Sequence, residues 1–167
     1  MVINFTPLSL KAGRAVLKLL ERDIADAHLR LSMGSIGAML SDEVISRRNR
    51  DLATFKGLLN GEKSTPWKEK EEMTQWFESA LVFLRDMLVI KVEPDTTLLI
   101  NSDKIQELRD LSKTIDARAI VELYEKMLGL MNYFIFNINK SIVINYVRAM
   151  LENAFTKRPS GTNKSRG

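Results

Sequence analysis

The chain has 167 residues, of which 45% are hydrophobic and 28% charged, and this balance argues against a disordered or collagen-like protein. It has no cysteine and a single histidine, which excludes disulfides, thiolate nucleophiles and cysteine- or multi-histidine-bound metals. The formal net charge of +4 resides in residues 157–167, a polar and basic stretch that we expect to form a disordered tail. Because no signal peptide or membrane-spanning apolar run is visible, we expect a cytoplasmic protein.

Apolar residues recur with helical spacing along almost the whole chain, which predicts an all-α fold. Near the N-terminus, Ser9 indicates the start of a first helix, and Asp23 is a candidate cap for a second, short one. A turn with two glycines, Gly34-Ser35-Ile36-Gly37, comes before a third short helix. Ser41 and Asp42 then indicate the start of the next helix, which ends before a polar loop.

The most regular apolar stripe follows Thr65 and Pro66, which predict the opening of a long helix that ends at Pro94. We expect the stripe to lie in the core, and it comprises Met73, Trp76, Phe77, Ala80, Leu81, Leu84, Met87 and Leu88. Further apolar residues lie off this stripe, namely Val82, Phe83, Val89 and Ile90. A helix with apolar residues on all sides either lies at the centre of a bundle or packs against another subunit. Both alternatives stay open, and the off-stripe residues are the candidates for a subunit interface.

Three further helices are predicted in the C-terminal half of the chain. Asn101 or Ser102 starts a short helix, and Asp116 caps a longer one that runs to Ile135. A break at Asn137-Ile138-Asn139 precedes the last helix, whose apolar residues are Ile142, Val143, Tyr146, Val147, Met150 and Leu151. The one strand-like stretch, Leu98–Ile100, is too short to build a sheet.

No catalytic constellation is visible in the sequence. His28 has no second ligand at helical spacing, and we expect it to be half-exposed. The Gly34–Gly37 turn lacks the lysine of a phosphate-binding P-loop and does not follow a strand. The acidic stretch from Glu69 to Glu78 lacks the Glu-x-x-His pairs of a carboxylate-bridged metal site and is typical of a solvated helix face. We therefore predict no catalytic residue, no cofactor and no metal.

Three segments, taken in order, resemble the C-terminal two-thirds of the delta-prime subunit of the bacterial DNA polymerase III clamp loader. Residues 5–9 together with Leu31–Ala38 look like the small helical lid of its AAA+ module. Trp76–Leu88 is similar to a long collar helix that ends in an Arg-Asp-x-Leu pattern, and Asn137–Ile142 is similar to the break before the last helix. The residues that carry these motifs are Gly34, Ser35, Gly37, Trp76, Arg85, Asp86, Asn137 and Asn139.

The resemblance implies a lid-like segment at residues 1–41, a helical collar domain at residues 42–156 and the tail at residues 157–167. It implies a bacterial, cytoplasmic subunit fragment that acts in sliding-clamp loading during DNA replication. No catalytic activity is implied, because the AAA+ core is missing and Ala38 stands where an ATP-hydrolysing relative carries an arginine. The implied partners are the gamma/tau and delta subunits, contacted through the collar, with no membrane and no direct DNA contact.

Two alternatives stay open beside this interpretation. A helical regulator or adaptor that binds nucleic acid would use Arg47, Arg48, Arg50 and the basic tail. A carboxylate enzyme would use Glu69 and Glu72, without any further sign of a pocket.

Overall fold

The computed structural model describes residues 7–22, 24–62, 66–93, 98–136 and 138–156. Within these ranges the chain consists of packed α-helices and short 3-10 turns without a strand, which confirms the all-α prediction. The α-helices are α1 (Leu10–Leu19), α2 (Asp26–Leu31), α3 (Ile36–Met39), α4 (Asp42–Leu59), α5 (Lys70–Val92), α6 (Ile105–Ser112), α7 (Ala117–Met131) and α8 (Lys140–Thr156). The predicted tail at 157–167, together with Asp23, Thr65, Pro94 and Asn137, lies outside the described residues.

Polar side chains open four of the helices by accepting backbone N–H groups that have no partner inside the helix. The side-chain oxygens of Ser9, Ser41 and Asp116 accept such groups at 3.2, 3.2 and 2.7 Å, at the starts of α1, α4 and α7. Asn139 accepts one at 2.8 Å at the start of α8. These four helix starts agree with the prediction from the sequence.

Several helix boundaries differ from the prediction. The N-cap of α2 is Ala25 instead of the predicted Asp23, and α3 begins at Ile36, inside the predicted turn. α5 begins at Lys70 rather than at the preceding proline, because Glu69 and Glu72 form a reciprocal capping box there. These acids, expected to be merely solvated, therefore fix the start of the longest helix. α7 ends at Met131, and the chain continues to Ile135 as a 3-10 turn instead of an α-helix.

α5 is the central helix of the bundle. It packs against α4, α6 and α7, while α8 closes the bundle against α4 and α7. Six of the eight residues of its predicted stripe are buried, with Trp76 1% exposed, while Leu81 and Leu88 are half-buried against the core. Aromatic rings gather near its N-terminal end, where the centroid of Trp67 lies 5.0 Å from that of Trp76 and the centroid of Phe134 lies 4.8 Å from that of Phe77. Burial of Trp67 in this cluster accounts for the non-helical path of residues 66–69.

A smaller apolar cluster joins the first three helices. Leu17, Leu29 and Met39 form its buried part. α2 also packs against α4 and against the 3-10 turn Ser102–Lys104, so the small cluster lies beside the main bundle. All members of this cluster precede Ser41, and all buried members of the main cluster follow it. The division of the chain into a lid-like segment and a collar domain stays a prediction.

Candidate subunit interface

The off-stripe residues of α5 do not form one exposed face. Phe83 is only 1% exposed and packs edge-on against Phe55 of α4, with 6.1 Å between ring centroids. The prediction that Phe83 faces a neighbouring subunit is therefore wrong, because α4 covers that side of the central helix. Ile90 is half-buried and packs against the main apolar cluster. Val82 and Val89 are half-buried outside that cluster, seven residues apart on one face of α5.

The Arg85-Asp86 motif organises a buried polar site. Asp86 has no solvent exposure, and its carboxylate accepts the backbone N–H groups of Ile100 at 3.2 Å and Asn101 at 2.8 Å. Arg85 donates to the same carboxylate at 2.6 Å and to the carbonyl oxygen of Leu98 at 3.0 Å. The backbone amides of residues 100 and 101 thus bind a buried charge on α5, and the strand-like sequence there forms no strand.

Arg48 extends this polar site from the connector to α4. Its guanidinium is 4% exposed and donates two hydrogen bonds to the carboxylate of Asp103, at 2.6 and 2.8 Å. It also donates to the side-chain oxygen of Asn101 at 3.5 Å. Partial burial acts to raise the pKa of Asp103, but the hydrogen bonds and charge of Arg48 outweigh it, so this pKa lies below its ordinary value.

Burial of Arg48 corrects the basic cluster proposed for nucleic acid. A guanidinium that is enclosed and held through Nη1 and Nη2 by Asp103 cannot reach a phosphate. Arg47 is half-buried and Arg50 is exposed, so the three arginines do not form one basic surface. The geometry therefore does not favour a nucleic-acid-binding regulator that uses Arg47, Arg48 and Arg50 together.

The two glycines of the lid-like turn have different roles. Gly34 has a φ of +82°, and a Cβ there would lie 2.5 Å from the backbone nitrogen and oxygen of Leu8. Leu8 also donates its N–H to the carbonyl oxygen of Gly34 at 3.1 Å, so the two backbone segments are in direct contact. Ser35 caps α3, whereas Gly37 is exposed and has open space where a Cβ would lie. Only Gly34 is sterically required to be glycine.

His28 is buried, which corrects the expectation that it is half-exposed. Its Nε2 atom lies 3.1 Å from the carbonyl oxygen of Ala38 and 3.0 Å from that of Ser41. Both neighbours are acceptors, so this arrangement assigns the proton to Nε2. The imidazole joins α2 to the turn between α3 and α4, which is a structural role rather than a ligand role.

Six of the exposed large apolar side chains of the bundle lie on α7, α8 and the turn between them, namely Val121, Leu128, Tyr133, Phe136, Ile142 and Tyr146. Val92 at the end of α5 and Leu98 in the connector are exposed as well. By contrast, α4 and α6, which are described in full, expose no large apolar side chain. Ile142 and Tyr146, two of the apolar residues of the predicted last helix, are 65% and 51% exposed. The apolar residues of α8 cover more of the helix surface than one buried face requires. This excess in the sequence was the signal that some of them, here Ile142 and Tyr146, would be exposed.

Among the described residues, no group of three or more His, Asp or Glu side chains is placed to hold a metal ion. No helix in that part of the chain is long and apolar enough to cross a membrane. No protein-family model, curated protein or solved structure matches this chain.

Proposed function

We propose that the chain is a non-catalytic assembly subunit, similar to the lid and collar of a clamp-loader delta-prime subunit. In this role it takes part in subunit assembly of the sliding-clamp loader during DNA replication. Residues 1–41 correspond to the lid and residues 42–156 to the collar. Its partners are the gamma/tau and delta subunits, contacted through the collar, in the cytoplasm of a bacterium.

The observation that carries the proposal is the concentration of exposed apolar side chains on α7, α8 and the turn between them. These elements expose six large apolar residues, whereas α4 and α6 expose none. Scattered exposed apolar residues are ordinary, but a concentration of them on neighbouring elements is typical of a protein–protein interface. A collar helix needs two apolar faces, since one face packs inside its own bundle and the other packs against a neighbouring subunit.

The buried polar site supports the same role. Asp86 and Arg48 hold the connector between α5 and α6 against α5 and α4. Asp86 and Arg48 are enclosed on the α4–α5 side of the bundle and take no part in the exposed α7–α8 side. Elements that are already hydrogen-bonded to each other in the free chain have less conformational freedom to lose on binding, and this favours assembly.

The test is assembly with purified gamma/tau and delta subunits, followed by sizing chromatography with light scattering. We expect a stoichiometric complex with the wild-type chain. A triple variant with serine at Leu128, Ile142 and Tyr146 removes exposed apolar surface and should abolish the complex. A matched control places serine at three exposed positions of α4, namely Asn49, Arg50 and Ala53, and should assemble like the wild type.

Failure of the wild-type chain to bind any of these subunits would overturn the proposal. Tight DNA binding with a steep dependence on salt would instead favour the regulator. Calorimetry with ATP is expected to show no binding, because the sequence lacks the P-loop lysine and has Ala38 in place of an arginine.

A further inference from the structure

The exposed apolar residues of the α7–α8 side fall on two different flanks. On α8, Ile142, Tyr146 and Ala149 are exposed at spacings of four and three residues, which places them on one stripe. On α7, Val121 and Leu128 are seven residues apart on another stripe. A groove of about 190 Å³ between the two helices is lined by Tyr146 and Ala149 but not by the α7 pair. The α8 stripe therefore borders a concave surface, whereas the α7 stripe is on the opposite flank of its helix.

The exposed face of α8 is almost free of charge. Its exposed residues are Ser141, Ile142, Asn145, Tyr146, Ala149, Glu152, Asn153 and Thr156, so Glu152 is the one charged residue among them. An exposed tyrosine with few charged residues around it is typical of an interface centre. Tyr146 supplies the large contact, and Ala149 leaves room for a side chain of a partner.

The α7 wall of the groove supplies a charge that is available to a partner. Glu122 is paired with Arg118 at 3.0 Å. Lys126 is one turn further along the same wall, is exposed, and has no ion-pair partner among the described residues. The groove thus combines apolar walls with one cation at its rim.

We infer that this groove receives a helix of a partner subunit whose apolar stripe packs on Tyr146 and Ala149 and whose Asp or Glu pairs with Lys126. The inference rests on the proposed function. It places the partner helix on the flank with Tyr146 and Ala149 instead of the flank with Val121 and Leu128. Charge complementarity at Lys126 selects one Asp or Glu on the partner helix, and the small residue at position 149 selects a side chain that enters the groove.

The test measures the dissociation constant of the full chain for the gamma/tau and delta subunits. Tyr146→Ala removes the aromatic anchor, and Ala149→Leu fills the groove. Each is expected to weaken binding about tenfold or more. Leu128→Ala is the matched control, because it truncates an exposed apolar residue on the other flank, and it should change binding less than about twofold. All three positions are exposed, so thermal melts should show unchanged folding.

A second measurement tests the charge contact directly. A carbodiimide joins an amine to a carboxylate that it touches, without a spacer. Mass spectrometry of the treated complex should identify a link between Lys126 and an Asp or Glu of a partner helix. The link should be lost in Lys126→Gln. Lys126→Glu should weaken binding and also make binding less dependent on salt concentration.

The outcomes separate the two proposals. Wild-type binding that Leu128→Ala weakens and Tyr146→Ala does not would overturn the groove assignment and leave the proposed function standing. Absence of any complex with the wild-type chain would overturn the proposed function, and this inference with it. A homodimer of the chain that Tyr146→Ala dissociates would show that a second copy occupies the groove, which also contradicts the inference.

Discussion

Asn101 donates its backbone amide and its side-chain amide to the same carboxylate oxygen of Asp86, at 2.8 and 2.9 Å. The carboxylate has no contact with solvent, so protein donors replace its whole hydration shell. Burying a charge is costly unless it is paired and hydrogen-bonded, and Asp86 meets both conditions through Arg85 and the connector amides. This one side chain therefore holds the backbone of Ile100 and Asn101 against α5.

We expect Asp86→Ala to lower the free energy of unfolding by about 3 kcal/mol, the lower end of the cost of breaking a buried charged contact. The truncation leaves the amides of Ile100 and Asn101 buried without an acceptor. Urea denaturation followed by circular dichroism measures the change. Asp110→Ala is the control, because Asp110 is exposed and pairs only with neighbours on its own helix and the adjoining turn. An equal effect of the two variants would show that Asp86 does not anchor the connector.

The sequence predicted the features that depend on neighbouring residues. Ser9, Ser41 and Asp116 begin helices as expected, because a capping side chain bonds an amide two or three residues away. Trp76 is buried as expected, because the period of α5 places it on the densest apolar stripe.

The sequence did not predict the features that depend on residues far apart along the chain. Asp103 is 55 residues from Arg48, and no local pattern indicates that they pair. The sequence shows that Phe83 lies off the α5 stripe, but not whether solvent, another subunit or α4 covers it. The position of α4 in the fold determines that Phe83 is buried against Phe55. Ile142 shares the apolar pattern of α8 with buried residues but is exposed, since sequence periodicity gives a face but not the neighbour that covers it.

The ion pair between Arg48 and Asp103 is asymmetric in burial, with side-chain exposures of 4% and 40%. Removing Asp103 leaves an enclosed guanidinium without its counter-charge, whereas removing Arg48 leaves a carboxylate that water can reach. We therefore expect Asp103→Ala to cost about 3 kcal/mol and Arg48→Met about 1–2 kcal/mol, the second reduced by solvent screening. Urea denaturation of both variants at pH 7 measures the difference. The reverse order of stability would contradict the burial of Arg48.

The same pair gives a pH dependence of defined sign. Because the pKa of Asp103 in the folded chain lies below its unfolded value of about 3.9, the ionised form stabilises the folded state. This contribution is complete above about pH 4 and is lost as the pH falls through the folded pKa. Stability measured from pH 7 to pH 2.5 should therefore fall less steeply at the acid end in Asp103→Asn than in the wild type.

Other carboxyl groups with a shifted pKa, which include Glu107 and Asp51, contribute to both acid profiles. Hydrogen bonds from Lys56 and Lys104 lower the pKa of Glu107, while burial raises the pKa of Asp51. The difference between the wild type and Asp103→Asn cancels their contributions as long as these sites do not interact with residue 103. Parallel profiles below pH 4 would contradict a lowered pKa of Asp103.

The glycines of the chain offer a matched set for the lid-like turn. Gly34 and Gly61 have nearly equal φ values of +82° and +81°, but only at Gly34 would a Cβ collide with backbone, that of Leu8. We expect Gly61→Ala to cost about 1–2 kcal/mol for the left-handed conformation alone, and Gly34→Ala to cost more. Gly37→Ala should be neutral or stabilising by up to about 1 kcal/mol, because Gly37 lies in a helix with open space around it. Thermal melts of the three variants provide the comparison, and equal losses at Gly34 and Gly61 would show that the contact with Leu8 does not form.

Phe83 and Val89 test which side of α5 is covered. Phe83 is enclosed between α5 and α4 against Phe55, whereas Val89 is half-buried outside the main apolar cluster. Phe83→Ala should cost about 3–5 kcal/mol through lost burial and the cavity it leaves, a loss comparable to that of Trp76→Ala. Val89→Ala should cost less than about 1 kcal/mol, because the truncated methyl groups already contact solvent. The measurement is urea denaturation, with the slope against denaturant checked for two-state behaviour. If Phe83→Ala proved as mild as Val89→Ala while the complex with the partner subunits weakened, Phe83 would belong to an interface and the packing of α4 on α5 would be refuted.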